Sequence, residues 1–225
     1  LDYALLQQEV CRDQCLLAYR EQESLGVWKE GTQPLYRQLH PSQHLESLYG
    51  VGEKSAAVFV SHIGRAARFP NNRKFRGWHG LVPDSRQSGE AESKGLKISQ
   101  AGPDLVKKFG YLDADVARRY DPQIAAVYYD QMVHKGNHHN QAVCACATHL
   151  LDRVRVVLLE DRPYELRDVD DTPVTPAQAR AIIAEQYTVP DKVRQRTNQR
   201  ARKERAEQRA EWQRRKRRRR SHSTR

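Results

Sequence analysis

At 225 residues the chain is long enough to bury a sizeable core in one domain with extensions, and its length does not force two. The net charge of +11 is uneven: residues 191–225 hold 16 Lys and Arg against 4 Asp and Glu, and residues 1–190 hold 23 against 24. A neutral body with a basic tail is the footprint of a polyanion binder, with nucleic acid favoured over a membrane surface; no apolar run approaches the roughly 18 residues of a membrane span and no signal peptide heads the chain, so a cytoplasmic, nucleoid-associated protein without a membrane partner is expected.

Residues 3–25 carry Leu5, Leu6, Val10, Leu16 and Leu17 among charged residues, which predicts an amphipathic connector helix with Gly26 as its stop. The stretch EGTQPLYRQLHPSQ, residues 30–43, reads as a turn-rich joint around Pro34 and Pro41. Residues 45–64 predict a short helix, a Gly-Val-Gly turn and a longer helix bearing Ala56, Ala57, Phe59, Val60 and Ile63. Phe69, Phe75, Trp78 and Leu81 follow as core anchors. The next stretch, GLVPDSRQSGEAESKG (residues 80–95), has neither helical nor strand periodicity and predicts an irregular loop.

Helices are expected over 105–119, 122–135 and 141–159, with a turn at Gly136-Asn137. Thr175, Pro176 and Gln178 form a helix start with a capping box. Beyond Pro190 the composition favours helix but supplies no apolar stripe, so the segment alone is marginal in water. The expected fold is mainly α: a compact helical domain with a helix-hairpin-helix element and an irregular active-site loop, an N-terminal connector helix and a basic tail, helical or disordered. Its expected divisions are 1–44 for connector and joint, 45–165 for the main domain, 166–190 for a linker and short helix, and 191–225 for the tail.

Four motifs bear on chemistry. In the Gly50-Val51-Gly52 turn the glycines allow a tight backbone, and free amides at the next helix start can grip a phosphate; an ordinary helix corner is the plainer alternative. Ser88-Gly89 could expose a nucleophile, with Arg86, Lys94 and Lys97 neutralising a phosphate, although Ser-Gly in a polar loop is more often a turn. His134, His138, His139, Cys144, Cys146 and His149 invite a zinc reading, but two cysteines two residues apart on a helix face opposite sides, so no metal site is assigned. The acidic run of residues 160–171 could hold magnesium, and is more simply a solvated linker. Cys11 and Cys15, with Cys144 and Cys146, have spacings that suggest reduced thiols rather than a secreted disulfide framework.

The ordered series Leu45 to Ala56 (L-x-x-L-x-G-x-G-x-x-x-A), Ile63-Gly64, Arg68-Phe69, Gly80 to Pro83, Gln87 to Gly89 and Lys97 to Gly102 (KISQAG) resembles one group of insertion-sequence transposases. These pair an N-terminal DEDD, RuvC-like domain with a C-terminal serine-bearing domain and are described as RNA-bridge-guided DNA recombinases. The resemblance spans about residues 45–160. It implies that Ser88 is the catalytic serine, attacking a DNA phosphodiester beside metal-binding acids of the RuvC-like domain. It also implies DNA and guide RNA as partners, homo-oligomerisation, and Mg2+ in that other domain with no cofactor in this chain. This chain, which opens on Leu1 and lacks the four acids, then corresponds to a C-terminal portion or a truncated copy. Where the family usually has Asn and then Leu-Arg after KxG, this chain has Pro103 and Val106-Lys107; a later A-R-K-L is here ATHL, with Thr148-His149 in place of the basic pair.

The nucleic-acid contacts expected from this combination are Gly50, Val51, Gly52, Lys54, Arg86, Lys94, Lys97, Lys107, Lys108, Arg214, Arg215, Arg217 and Arg218. Two functions of different class follow. One is a transposase portion that supplies Ser88 for strand exchange; the other is a non-catalytic nucleic-acid-binding module built on the turn and the tail. A trapped serine-DNA adduct separates them.

Overall fold

The computed structural model describes residues 3–20, 26–81 and 101–222. The helix α7 (His139–Glu160) is its central post, about 33 Å long at 1.5 Å per residue. Val143, Cys146, Ala147, Leu150, Leu151, Val154 and Val157 recur along it at spacings of three and four and are all buried. The broadest helix pairing in the fold is between α7 and α5 (Asp104–Ala117). Gly110 lets these two approach closely: a Cβ there would come within 3.3 Å of the Leu151 side chain.

Around this pair lie α1 (Tyr3–Arg20), α2 (Gln33–Leu39), α3 (Glu53–Ile63), α4 (Asn72–His79) and α6 (Pro122–Tyr129). α8 (Pro176–Gln186) packs on α6, and α9 (Asp191–His222) closes the chain. Among the described residues there is no strand, only an isolated bridge between Arg167 and Pro173. The mainly helical class expected from the sequence is the one observed. None of the described helices is long and apolar enough to cross a membrane.

Two expectations for the N-terminal segment are corrected. The joint at 30–43 is helical through Leu39: a π-helical turn, Val27–Thr32, runs directly into α2. Pro34 sits in the first turn of α2, where a missing N–H costs nothing, and Gly26 has ordinary right-handed helical angles (φ −63°, ψ −50°) rather than those of a stop. In α1 the leucines read as the apolar face are not the buried side. Leu5, Leu6, Val10 and Leu17 are exposed, and Cys11, Cys15 and Ala18 face α3. Cysteine behaves here as a small hydrophobe, which allows close helix packing. All four cysteines are free thiols, and burial pushes Cys146 up to about 12, so it stays protonated and inert.

Caps were more legible. Thr175 and Gln178 form the expected capping box, the Thr175 amide donating to Gln178 Oε1 at 2.8 Å. Asp121 caps α6 through the Ile124 amide and also accepts from the Tyr164 hydroxyl at 2.7 Å. The acidic run around it is locally satisfied, with Glu160 paired to Arg162 and Glu165 to Arg167.

The buried carboxyl of Asp113 on α5 accepts from Ser55 Oγ at 2.9 Å, and its second oxygen has no partner. Burial pushes its pKa up to about 7 from an ordinary 3.8, while Ser55 pulls the other way. A raised folded-state pKa stabilises the fold fully at low pH and loses that contribution as pH rises from about 4 through about 7. Asp113→Asn should therefore melt higher than the parent at pH 8, by up to about 4 kcal/mol on the linkage relation, with the gap closing near pH 4; thermal unfolding across pH checks this, and a pH-independent gap would refute it. Asp152, largely buried on α7, receives a forked pair of hydrogen bonds from the partly exposed Arg76 of α4. Asp152→Ala should cost roughly 2 kcal/mol in urea unfolding, less than a fully buried pair because solvent screens Arg76.

Candidate nucleic-acid interface

Ser88, Arg86, Lys94 and Lys97 lie outside the described residues, but the two ends of the segment that carries them are well defined. α4 ends at Gly80, which has a left-handed backbone (φ +72°), and Gly102 returns with φ +85°. A Cβ on Gly80 would overlap the Ala101 carbonyl oxygen, and one on Gly102 would overlap the Trp78 carbonyl and crowd His79. The glycines of GLVP and KISQAG therefore bring the backbone on either side of residues 82–100 together at one point.

Further contacts hold this neck. The Leu81 amide donates to His79 Nδ1 at 3.1 Å, which requires a neutral ring; burial and the nearby Arg76 charge push His79 down to about 4. Thr148 Oγ1 donates to the Leu81 carbonyl at 2.8 Å. On the return side Lys107 Nζ donates to the Ala101 carbonyl at 3.1 Å and pairs with Asp104 at 3.0 Å. Lys107, one of the residues expected to contact nucleic acid, thus ties the return side of the neck to the start of α5. Pro103 precedes α5 in an extended conformation (φ −69°, ψ 125°) that launches the helix.

The Gly50-Val51-Gly52 turn is likewise built around close approach. Gly50 has φ +91°, and a Cβ there would overlap the Asp113 carbonyl, so its bare side faces α5 rather than solvent. Val51 is buried, and Gly52 is exposed at the N-terminus of α3. The element before the turn is a four-residue 3-10 turn, His44–Ser47. The first turn of α3 already carries an anion: Glu53 accepts from Gln33 at 2.7 Å and Arg37 at 3.0 Å, complementing the positive end of the helix.

Lys54 and Lys108 are brought together by the packing of α1, α3 and α5. They border one groove with Tyr19, Arg20, Trp28 and Phe109. Neither Tyr19, Trp28 nor Arg20 was singled out in the sequence, because a π-helical turn and the end of α1 supply them and no periodic pattern ties those to α5. Arg68 was legible only as a motif member, whereas Phe69, Phe75 and Trp78 behind it were expected as core anchors. Its guanidinium lies 4.4 Å from the Phe69 ring centre and 5.1 Å from that of Trp78, and Phe75 packs edge-on to Phe69.

The basic tail is helical. Val189 and Thr197 are buried at its root, whereas Arg202, Lys203, Arg209 and Arg214 are exposed. Arg215, Arg217 and Arg218 lie within one turn of the same helix. Of the histidine and cysteine cluster on α7, Cys146 is buried, Cys144 lies on another side, and His139 bonds to the Tyr128 hydroxyl at 2.9 Å. Among the described residues no three His, Cys, Asp or Glu side chains converge as a metal site requires.

Two relatives share sequence with the chain. An uncharacterized 43.6 kDa protein of insertion element IS110 from Streptomyces coelicolor is 30% identical over 129 residues, 57% of this chain and 31% of its own length. A protein titled "Putative transposase y4qE" from Sinorhizobium fredii is 27% identical over 154 residues, 68% of this chain and 37% of its own. The chain thus spans about a third of the length of the curated relatives it matches. Residues 42–129, which run from the Gly50–Gly52 turn through the glycine-pinned neck to the end of α6, match the Transposase IS116/IS110/IS902 family.

Proposed function

We propose that the chain is the DNA-handling, serine-bearing part of an insertion-sequence transposase. The observation that carries this is the family match over residues 42–129, which passes through Ser88. In this reading Ser88 Oγ attacks a DNA phosphorus; the new Oγ–P ester forms as one sugar–phosphate ester breaks, and the departing sugar oxygen takes up a proton. Arg86, Lys94 and Lys97 neutralise the developing charge on the phosphoryl oxygens. Reversal with a different sugar hydroxyl completes strand exchange. Metal ions for the reaction would be held by acidic residues of a RuvC-like domain outside these 225 residues, with a guide RNA choosing the site and a second copy completing the synapse.

The fold supports this assignment through the neck. A nucleophile must be held within a fraction of an ångström of its productive position. Gly80 against the Ala101 backbone and Gly102 against the Trp78 and His79 backbone, braced by Thr148 and Lys107, hold together the described residues that flank the segment bearing Ser88. The long basic helix supplies sequence-independent affinity for phosphates.

Three outcomes test the proposal. In a plasmid recombination assay with the native coding sequence, Ser88→Ala should abolish recombination and the denaturation-resistant protein–DNA adduct while DNA affinity stays within about twofold; recombination that survives the change overturns the nucleophile assignment. Gly102→Ala should reduce recombination at least tenfold and lower stability by roughly 2 kcal/mol or more, because it combines a strained backbone with a backbone overlap. Replacing Arg214, Arg215, Arg217 and Arg218 together by Ala should weaken duplex binding and flatten its salt dependence by roughly 0.9 per lost phosphate contact; an unchanged slope in filter binding means the tail is not the main contact.

A further inference from the structure

The root of the basic tail meets the body at a pocket of about 190 Å³, below the range of about 300–1,000 Å³ that holds drug-sized ligands and suited to one small anion. Three guanidinium groups reach it from two elements: Arg118 and Arg119 where α5 ends, and Arg194 in the first turn of α9. Their charge is partly opposed. Asp115, one turn back on α5, accepts from Arg118 Nε at 2.8 Å and from Arg119 Nη2 at 3.1 Å. This carboxylate orients the two arginines without using all their donors, since each guanidinium carries five N–H groups. The Arg118 guanidinium is fixed a second time, 4.3 Å from the centre of the Tyr128 ring. Arg194 is exposed, and among the described residues its side chain makes no hydrogen bond or ion pair. Arg118 and Arg194 also bear on one ring: burial, with both charges behind it and Asp115 pulling the other way, holds His139 below its ordinary pKa. Three cations thus converge against one carboxylate.

We propose that this pocket holds one phosphate group of a nucleic-acid backbone, clipped between the body and the root of the tail. Guanidinium forks match phosphate oxygens in pairs, and forks already held by Asp115 and Tyr128 lose less freedom when the anion arrives. An anion there also relieves the repulsion between Arg194 on α9 and Arg118 and Arg119 on the body. Filling the pocket therefore fixes the direction in which the tail leaves, and a backbone gripped at the root is already aligned with the basic helix beyond it. The inference rests on the nucleic-acid reading above, and adds a contact that needs neither Ser88 nor the arginines near the end of the tail.

Fluorescence anisotropy on the whole chain, with a DNA duplex over a range of salt, tests this. Arg119→Ala and Arg194→Ala remove exposed side chains, so the core is spared. Each should weaken duplex binding about fivefold, the upper end for an exposed ion pair, and lower the salt slope by up to about 0.9, the share of one phosphate. The double variant should also lose no more than about 0.9, because both guanidinium groups serve the same phosphate. Lys29→Ala, which removes an exposed charge from the π-helical turn, should stay within about twofold of the parent. Slope losses that add to about 1.8 in the double variant overturn the inference, since the two cations then neutralise separate phosphates. Unchanged duplex binding by both single variants also overturns it; if inorganic phosphate then raises the melting temperature of the parent but not of Arg194→Ala, the pocket takes a free anion instead. A parent chain that binds no duplex overturns the nucleic-acid reading itself.

Discussion

The contact on which the rest depends is the one between Gly80 and the Ala101 carbonyl, mirrored by Gly102 against Trp78. Two left-handed glycines in a row of side-chain-bearing neighbours bring two backbones to a separation that no Cβ permits. That brings Leu81 and Ala101, the described residues on either side of 82–100, together in the fold.

What braces this contact is a polar stripe on an otherwise apolar helix. Thr148, Asp152 and Arg155 of α7 fall at spacings of four and three, one face of the helix. Thr148 holds the Leu81 carbonyl, Asp152 holds Arg76, and Arg155 donates to the Phe69 carbonyl at 2.6 Å and to Asn72 at 3.0 Å. Residues 69–81 are thus laced to the central post at three heights.

Much of the architecture was legible because it obeys helical period and capping chemistry. The apolar spacing of α7, the Thr175 box and the core roles of Phe69, Phe75 and Leu81 all follow from local rules. The failures lie where tertiary packing overrides local preference. Leucine outranks cysteine as an apolar marker, yet the side chains buried on α1 are the small Cys11, Cys15 and Ala18. Pro34 signals a break to the eye, but at a helix's first turn it prepays the backbone angle. Of the candidate site, the glycines were visible as motif members, whereas their reason, a contact across 22 residues of sequence, was not. Lys107 shows the same limit: its tie to the Ala101 carbonyl depends on a neighbour that the sequence does not place.

The tail helix has a mechanical corollary. It is rooted by Val189 and Thr197, and from Thr197 to His222 it extends about 38 Å at 1.5 Å per residue. In the nucleic-acid reading proposed above, a strand captured anywhere along that rod is tethered within one rod-length of the body. Tethering on this scale raises the local concentration of the strand to roughly the millimolar range, far above that of a dilute target in solution. In that reading the rod therefore extends the distance over which the body can capture a strand.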